Sequence, residues 1–354
     1  MYRKRLNTIS DIARFIRWRD WGPGKMTVLW SLCLYIAVAM ELPFDRFAIT
    51  FIVFMAFAAT QSALGYVLND WGDRDLDRRQ FKNNAFNGKS PLESTLALTL
   101  LLVMALVTGL PLVLRPGFGL LWCAWIAAAA AYSLEPFRLK TKGLVGLVVS
   151  AAAQWFLPVL ITFGAFEAGG GLDMWILAMA LTVTGVTLEI GHQRYDRSRD
   201  LVTRAETFAA LVSNRKIDRI YASALLLDKL TIGLIIAVNV FLLVSLQTRW
   251  TVALAFLLGC VYVLLVLVTL GKSLQALGGS KVDDPYYGNH SQRFTAVRLL
   301  HEILLNFGLP VVLGIAATVH SPLYAIVLGL FLIWRIVLGG ADLRWPLRSL
   351  KTRL

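Results

Sequence analysis

Phe47-Ala48-Ile49-Thr50-Phe51-Ile52-Val53-Phe54-Met55-Ala56-Phe57-Ala58-Ala59-Thr60-Gln61-Ser62-Ala63-Leu64-Gly65-Tyr66-Val67-Leu68 carries no charge, and Asn69-Asp70-Trp71-Gly72-Asp73-Arg74-Asp75-Leu76-Asp77 follows at once. At ~1.5 Å per residue the apolar stretch makes a helix of roughly 33 Å, enough to cross a hydrocarbon core. The acidic run cannot follow it into lipid, because each aspartate costs about 2.5–3.5 kcal/mol at the bilayer centre. It therefore marks the point where the chain reaches the membrane surface or a polar cavity. Working outward, similar apolar segments recur near 26–44, 93–114, 117–134, 143–164, 173–191, 222–246, 250–270, 302–319 and 322–340. Hydrophobic residues make up 57% of the 354, and the mean hydropathy is +0.64. The reading is an all-α membrane protein, a bundle of nine or ten transmembrane helices. The open count reflects the short segment at 117–134 and the polar interruptions Arg298, His301, Glu302 and Asn306 in the ninth.

A net charge of +13 suggests nucleic acid only until its distribution is followed. Alternate connections, together with the N-terminal segment, hold 30 of the 35 Lys and Arg residues. The opposite connections hold Arg46, Arg115 and Arg249, with Lys229 and Arg335 near span ends. That asymmetry is the positive-inside pattern and places the basic face, the N-terminus and the motif loops in the cytoplasm. No nucleic-acid partner is expected. Residues 8–21 alternate apolar and basic side chains, as in a short helix on an anionic leaflet or an ordinary solvated cap. Cys33, Cys123 and Cys260 fall inside spans at no metal-ligand spacing and are expected to be inert packing residues.

A second acidic group, Asp196-Arg197-Ser198-Arg199-Asp200, follows the sixth span on the same basic face. If the second span stays helical past Asn69, Asp70, Asp73 and Asp77 share one face, and Asp75 points elsewhere. Like charges at that spacing repel unless a cation sits among them, and carboxylates shared with substrate phosphates suit magnesium. Five carboxylates, two divalent ions and a diphosphate leave roughly four negative charges uncompensated. Basic side chains must supply the balance, the candidates on this face being Lys82, Arg138, Lys140, Lys142, Arg194 and Arg204, with Arg138 and Lys140 preferred.

These residues resemble the UbiA superfamily of intramembrane prenyltransferases. Asn69, Asp70, Asp73 and Asp77 match its first motif, Asn-Asp-x-x-Asp-x-x-x-Asp, and Asp196 and Asp200 its second, Asp-x-x-x-Asp. Tyr132-Ser133-Leu134-Glu135-Pro136-Phe137-Arg138-Leu139-Lys140 is similar to the family's Tyr-Ser-x-x-Pro-x-x-x-Lys connection. The resemblance spans roughly residues 15–270. It implies a helical bundle around a central cavity capped by cytoplasmic polar loops. It also implies Mg2+ held by Asn69 and the five aspartates, and a prenyl diphosphate contacted by Asn69, Lys82, Tyr132, Arg138, Lys140, His192 and Arg204. The implied domain order is a basic segment at 1–25, one transmembrane prenyltransferase domain at 26–345 and a basic tail at 346–354. The implied activity is Mg-dependent transfer of an isoprenyl group to an aromatic or lipidic acceptor through an allylic carbocation.

The chain departs from the family where an Arg-Pro pair commonly follows the first motif; here Phe81-Lys82-Asn83-Asn84 stands. Leu201-Val202-Thr203-Arg204 replaces the frequent glycine after the second motif. A terpene cyclase acting on a prenyl diphosphate without a separate acceptor fits the same motifs. A transporter or channel fits them less well, since its acids would lie deep within helices. Glu189 and His192, ending the sixth span, either accept a proton from the acceptor or bond neighbouring helices; His301 and Glu302 raise the same question. The sequence leaves acceptor, chain length and oligomeric state open.

Overall fold

The computed structural model describes residues 8–79, 83–203, 205–278 and 300–338. Within them lie α1 (Thr8–Phe15), α2 (Trp18–Ala39), α3 (Phe44–Arg79), α4 (Pro91–Val113) and α5 (Phe118–Ser133). These are followed by α6 (Leu144–Ala165), α7 (Leu172–Thr203), α8 (Asn214–Ser245), α9 (Arg249–Leu277), α10 (Leu300–His320) and α11 (Tyr324–Ile333). No strand occurs among the described residues, and Gly143 and Thr207 form one isolated bridge. The chain is an integral, multi-pass helical membrane protein: eight of these helices are long and apolar enough to cross a bilayer, and α5 and the Tyr324–Ile336 helix are shorter apolar ones. Most of the 271–298 connection and the 346–354 tail lie outside the described residues.

Helix ends follow local chemistry rather than hydropathy. α4 begins with a capping box in which Ser90 Oγ accepts the Glu93 N–H (3.2 Å) and Glu93 Oε2 accepts the Ser90 N–H (2.7 Å). The apolar stretches at 47–68 and 173–191 end well short of α3 and α7, which run on to Arg79 and Thr203. Hydropathy reads the depth of the lipid, whereas a helix continues as long as its polar turns find partners. Residues 8–21, left open between a short interfacial helix and a solvated cap, do not form one helix: Arg17 adopts a left-handed conformation, φ 54, between α1 and α2.

α7 packs on α8, α8 on α9, and α3 on α4, while α10 returns to pack on α2. The largest core is rich in aromatic rings: Phe57 of α3 meets Phe118 and Trp122 of α5, and Phe47 and Phe54 pack on Phe166. α4 and α9 instead turn Leu96, Leu100 and Val107, and Leu264 and Leu267, outward as a lipid-facing surface. Cys33 is buried, but Cys123 and Cys260 are exposed, so only one of the three cysteines packs in the core. Several charged groups within the bundle are paired. Asp228 accepts from Thr184 Oγ1 (2.7 Å) and meets His301 Nε2 (2.7 Å), and Arg335 donates to the Pro23 carbonyl (3.0 Å) and reaches Glu302 Oε2 (3.5 Å). His301 and Glu302 thus bond neighbouring elements.

Candidate active site

The first motif lies on the last turns of α3, as the spacing predicts, and its carboxylates divide between two neighbours. Asp73 Oδ1 receives Lys140 Nζ at 2.6 Å and Arg138 Nη2 at 2.9 Å, and Lys140 also donates to Asn69 Oδ1 at 3.0 Å. Both basic residues come from the short connection after α5, where Arg138 takes φ 37 ahead of the tight turn Leu139–Thr141. Gly72 makes this approach possible, because a Cβ there would run into the Ser133 carbonyl oxygen. Asp70 and Asp77 face the loop that follows the motif. Asp70 Oδ2 accepts the Ala85 N–H (2.9 Å), and Asn84 Nδ2 donates both to Asp77 Oδ2 (2.8 Å) and to the Asp70 carbonyl (2.7 Å). Arg17 adds a bond of 2.8 Å to Asp70 Oδ1 while its Nε holds Asp20 at 2.7 Å.

On α7, Asp196 lies 3.3 Å from Arg199 and 3.8 Å from His192 Nε2, and Asp200 accepts from Thr207 Oγ1 at 2.8 Å. The next residue back along that loop ties the two motifs to one end of the bundle: the Gly143 N–H donates to the Glu206 carbonyl at 2.9 Å. The connection carrying Arg138 and Lys140 is therefore bonded to the first motif helix and to the loop that follows the second. Arg194 is directed elsewhere, to Asp218 at 2.6 Å. Lys82 and Arg204 lie outside the described residues.

Beneath this polar layer is a cavity of about 350 Å³, and Asn69, Tyr132 and His192 are among its lining residues. Trp125 and Trp155 form part of the wall; the Trp125 indole donates to the Ala153 carbonyl (2.8 Å), and Trp155 fits against α7 only because residue 185 is glycine. A polar chain crosses the same cavity. Lys25 Nζ donates to Gln154 Oε1 (2.7 Å), Gln154 Nε2 to Ser150 Oγ (2.7 Å), and Ser150 to Glu189 Oε2 (3.1 Å), whose other oxygen accepts from Gln193 (3.1 Å). Glu189 thus both bonds a neighbouring helix and lines the cavity.

Arg17, Lys25, Asn84, Ser150 and Gln154 carry no motif, and the sequence reading passed over them or gave Arg17 and Lys25 a topological role. Arg17 and Lys25 did leave a trace, as charges at the very start of an apolar helix. Burial works against the Arg17 charge, but Asp70 and Asp20 outweigh it and hold the guanidinium above the ordinary arginine range. Burial also lowers Lys140 from the ordinary lysine value, and Asp73 opposes the fall.

Among the described residues no group of three or more His, Cys, Asp and Glu side chains forms a metal cage. Magnesium does not need one, since it is commonly held by one or two carboxylates, waters and substrate phosphates. Asn69 Oδ1 and Asp73 Oδ1 already converge on one cation, the Lys140 ammonium, so the donor set consists of hard oxygens within mutual reach and fits the ion.

The UbiA prenyltransferase family matches residues 26–276, well over half of the chain. The 4-hydroxybenzoate octaprenyltransferase of Alkalilimnicola ehrlichii is 26% identical over 247 residues, covering 65% of this chain and 80% of that protein. The enzyme of the same description from Yersinia enterocolitica is 26% identical over 223 residues, 63% of this chain and 71% of that one. In three dimensions a UbiA homolog from Archaeoglobus fulgidus, solved bound to DMAPP and Mg2+, superposes with a TM-score of 0.51 at 13% identity. The match covers 90% of this chain and 98% of that one, a likeness of fold.

Proposed function

The chain belongs to the UbiA prenyltransferase family, and on that premise we propose that it transfers an isoprenyl group from a prenyl diphosphate to an aromatic acceptor in a magnesium-dependent reaction at the cytoplasmic end of the bundle. The observation that carries the proposal is the junction of Asn69 and Asp73 with Arg138 and Lys140 at the rim of the cavity. The relatives named for 4-hydroxybenzoate prenylation support the aromatic acceptor, and the Archaeoglobus protein's bound DMAPP and Mg2+ support the donor and the ion.

Magnesium held by Asn69, Asp73 and the neighbouring motif aspartates would draw off the charge that develops on the departing diphosphate. Arg138 and Lys140 leave their ion pairs with Asp73 to grip the phosphate oxygens, so the site exchanges one set of charge pairs for another without solvating any of them. Trp125, Trp155 and the apolar residues of α2 and α6 exclude water from the allylic cation, whose hydrolysis is the competing reaction. The carbon–oxygen bond to diphosphate breaks first, its electron pair leaving with the diphosphate; the acceptor's nucleophilic atom then bonds to the allylic cation, and the acceptor's proton passes to Glu189.

The test is incubation of the purified protein with labelled prenyl diphosphates of several lengths, with and without magnesium and with and without aromatic acceptors. A condensed product is expected only when both ion and acceptor are present. A cyclised hydrocarbon made without acceptor would replace this reading with a terpene cyclase, and no turnover with any donor would end both.

A further inference from the structure

Two Lys or Arg side chains line the cavity, and they are in different situations. Arg17 is neutralised by Asp20 and Asp70. Lys25 has Gln154 Oε1 at 2.7 Å and the Tyr66 ring 4.7 Å from its ammonium, and no carboxylate among the described residues pairs with it. An ammonium has three donors, so a neutral amide and a ring face leave it short of a hydrogen-bond acceptor and of a carboxylate in direct contact, Glu189 being held off on the same wall by Gln154 and Ser150. Near the start of α2 its four-carbon stem could carry the charge out to the headgroups. Instead it lies half-buried in the wall of the cavity.

The surrounding structure holds it there. Lys25 sits in a π-helical turn, Gly22–Met26, of the kind that re-aims side chains at functional sites. Thr27 Oγ1 (2.6 Å) and Arg335 Nη1 (3.0 Å) both donate to the Pro23 carbonyl in that turn. Gln154, in a second π-helical turn, Ala152–Phe156, is oriented by its own bond to Ser150, so that its carbonyl and not its amide nitrogen faces Lys25. Tyr66 stands one turn of α3 before Asn69, about 4.5 Å of rise, so the ammonium lies deeper than the rim where Asn69 meets Lys140.

We infer that Lys25 is a specificity-determining residue that receives an anionic oxygen of the acceptor, a carboxylate on its aromatic ring, while the prenyl diphosphate is held at the Asn69 and Asp73 rim. The inference rests on the transferase reading above. The acceptor supplies a carboxylate in direct contact with Lys25, which Glu189, two hydrogen-bonded side chains away through Gln154 and Ser150, does not, and forming that ion pair turns its nucleophilic end toward the rim. A neutral acceptor of the same shape leaves Lys25 without a contacting carboxylate in the cavity wall, and discrimination arises from that cost.

The experiment uses the full-length protein and a matched pair of acceptors, a para-hydroxylated benzoate and its carboxamide. Wild type is expected to prefer the carboxylate. Lys25→Gln should reduce kcat/KM for the carboxylate about ten-fold or more, bring the two acceptors close to parity and leave the KM for prenyl diphosphate within about two-fold, with Lys25→Arg restoring part of the preference. Gln154→Glu gives Lys25 an internal carboxylate and should likewise erase the preference, which guards against a Lys25 variant that does not fold. If wild type makes product equally from both acceptors, or if Lys25→Gln raises the KM for prenyl diphosphate instead, the role given to Lys25 falls while the transferase reading stands. If wild type makes no prenylated product at all, that reading fails and takes the inference with it.

Discussion

Asp73 and Asp75 lie two residues apart in the same acidic run and meet opposite fates. The Asp73 side chain is 16% exposed and carries two cations, whereas that of Asp75 is 77% exposed and, among the described residues, has Arg74 at 3.8 Å. Asp73→Asn is expected to lower kcat about a hundred-fold or more, because it removes charge aimed at the leaving diphosphate; Asp75→Asn should change kcat less than two-fold. A steady-state assay of the two variants decides the matter, and comparable losses in both would contradict the assignment. Asn84 makes a different kind of prediction. Its amide joins Asp77 to the Asp70 carbonyl, so Asn84→Ala removes two hydrogen bonds to buried oxygens and should destabilise the protein by about 1–3 kcal/mol. Thermal unfolding in detergent measures that loss. Nothing in Phe81-Lys82-Asn83-Asn84 announces the role, because an asparagine's partners depend on where the loop folds back, which periodicity does not encode.

At the level of elements, the meeting of α3 with the end of α5 sets the site. Gly72→Ala drives a methyl group into the Ser133 carbonyl, and since backbone cannot yield as a side chain can, the helices must separate. The expected cost is about 1–3 kcal/mol of stability, together with a rise in the KM for prenyl diphosphate as Asn69 and Asp73 move from Arg138 and Lys140. Thermal unfolding and substrate titration read the two effects separately; a variant with unchanged KM would show that the close approach does not position the site. The acidic helix face was legible from the three- and four-residue spacing of Asp70, Asp73 and Asp77. The π-helical turns at Gly22–Met26 and Ala152–Phe156 were not, because a single widened turn leaves the apolar periodicity on either side almost unchanged.

For the whole molecule, the charge asymmetry makes a claim about sidedness. In a variant lacking the three native cysteines, single cysteines at Asn87 and Lys216 should stay unlabelled by a membrane-impermeant thiol reagent until cells are permeabilised. A cysteine at Gln247 should react in intact cells, and the reverse pattern would invert the topology. The bundle itself, its membrane class and its family were set by the sequence alone, because the water-to-lipid transfer of apolar segments and the placement of charge are sums over composition, insensitive to who packs on whom. Pairing is another matter. That Asp73 meets Arg138 and Lys140, that Arg17 reaches across to Asp70, and that Lys25 turns into a cavity shared with Glu189 depend on residues far apart in the chain whose distances only helix packing sets. Tertiary structure decided those contacts because a hydrogen-bonded ion pair needs its two groups within about 4 Å, while the hydrophobic pattern that builds the helices does not say which faces meet.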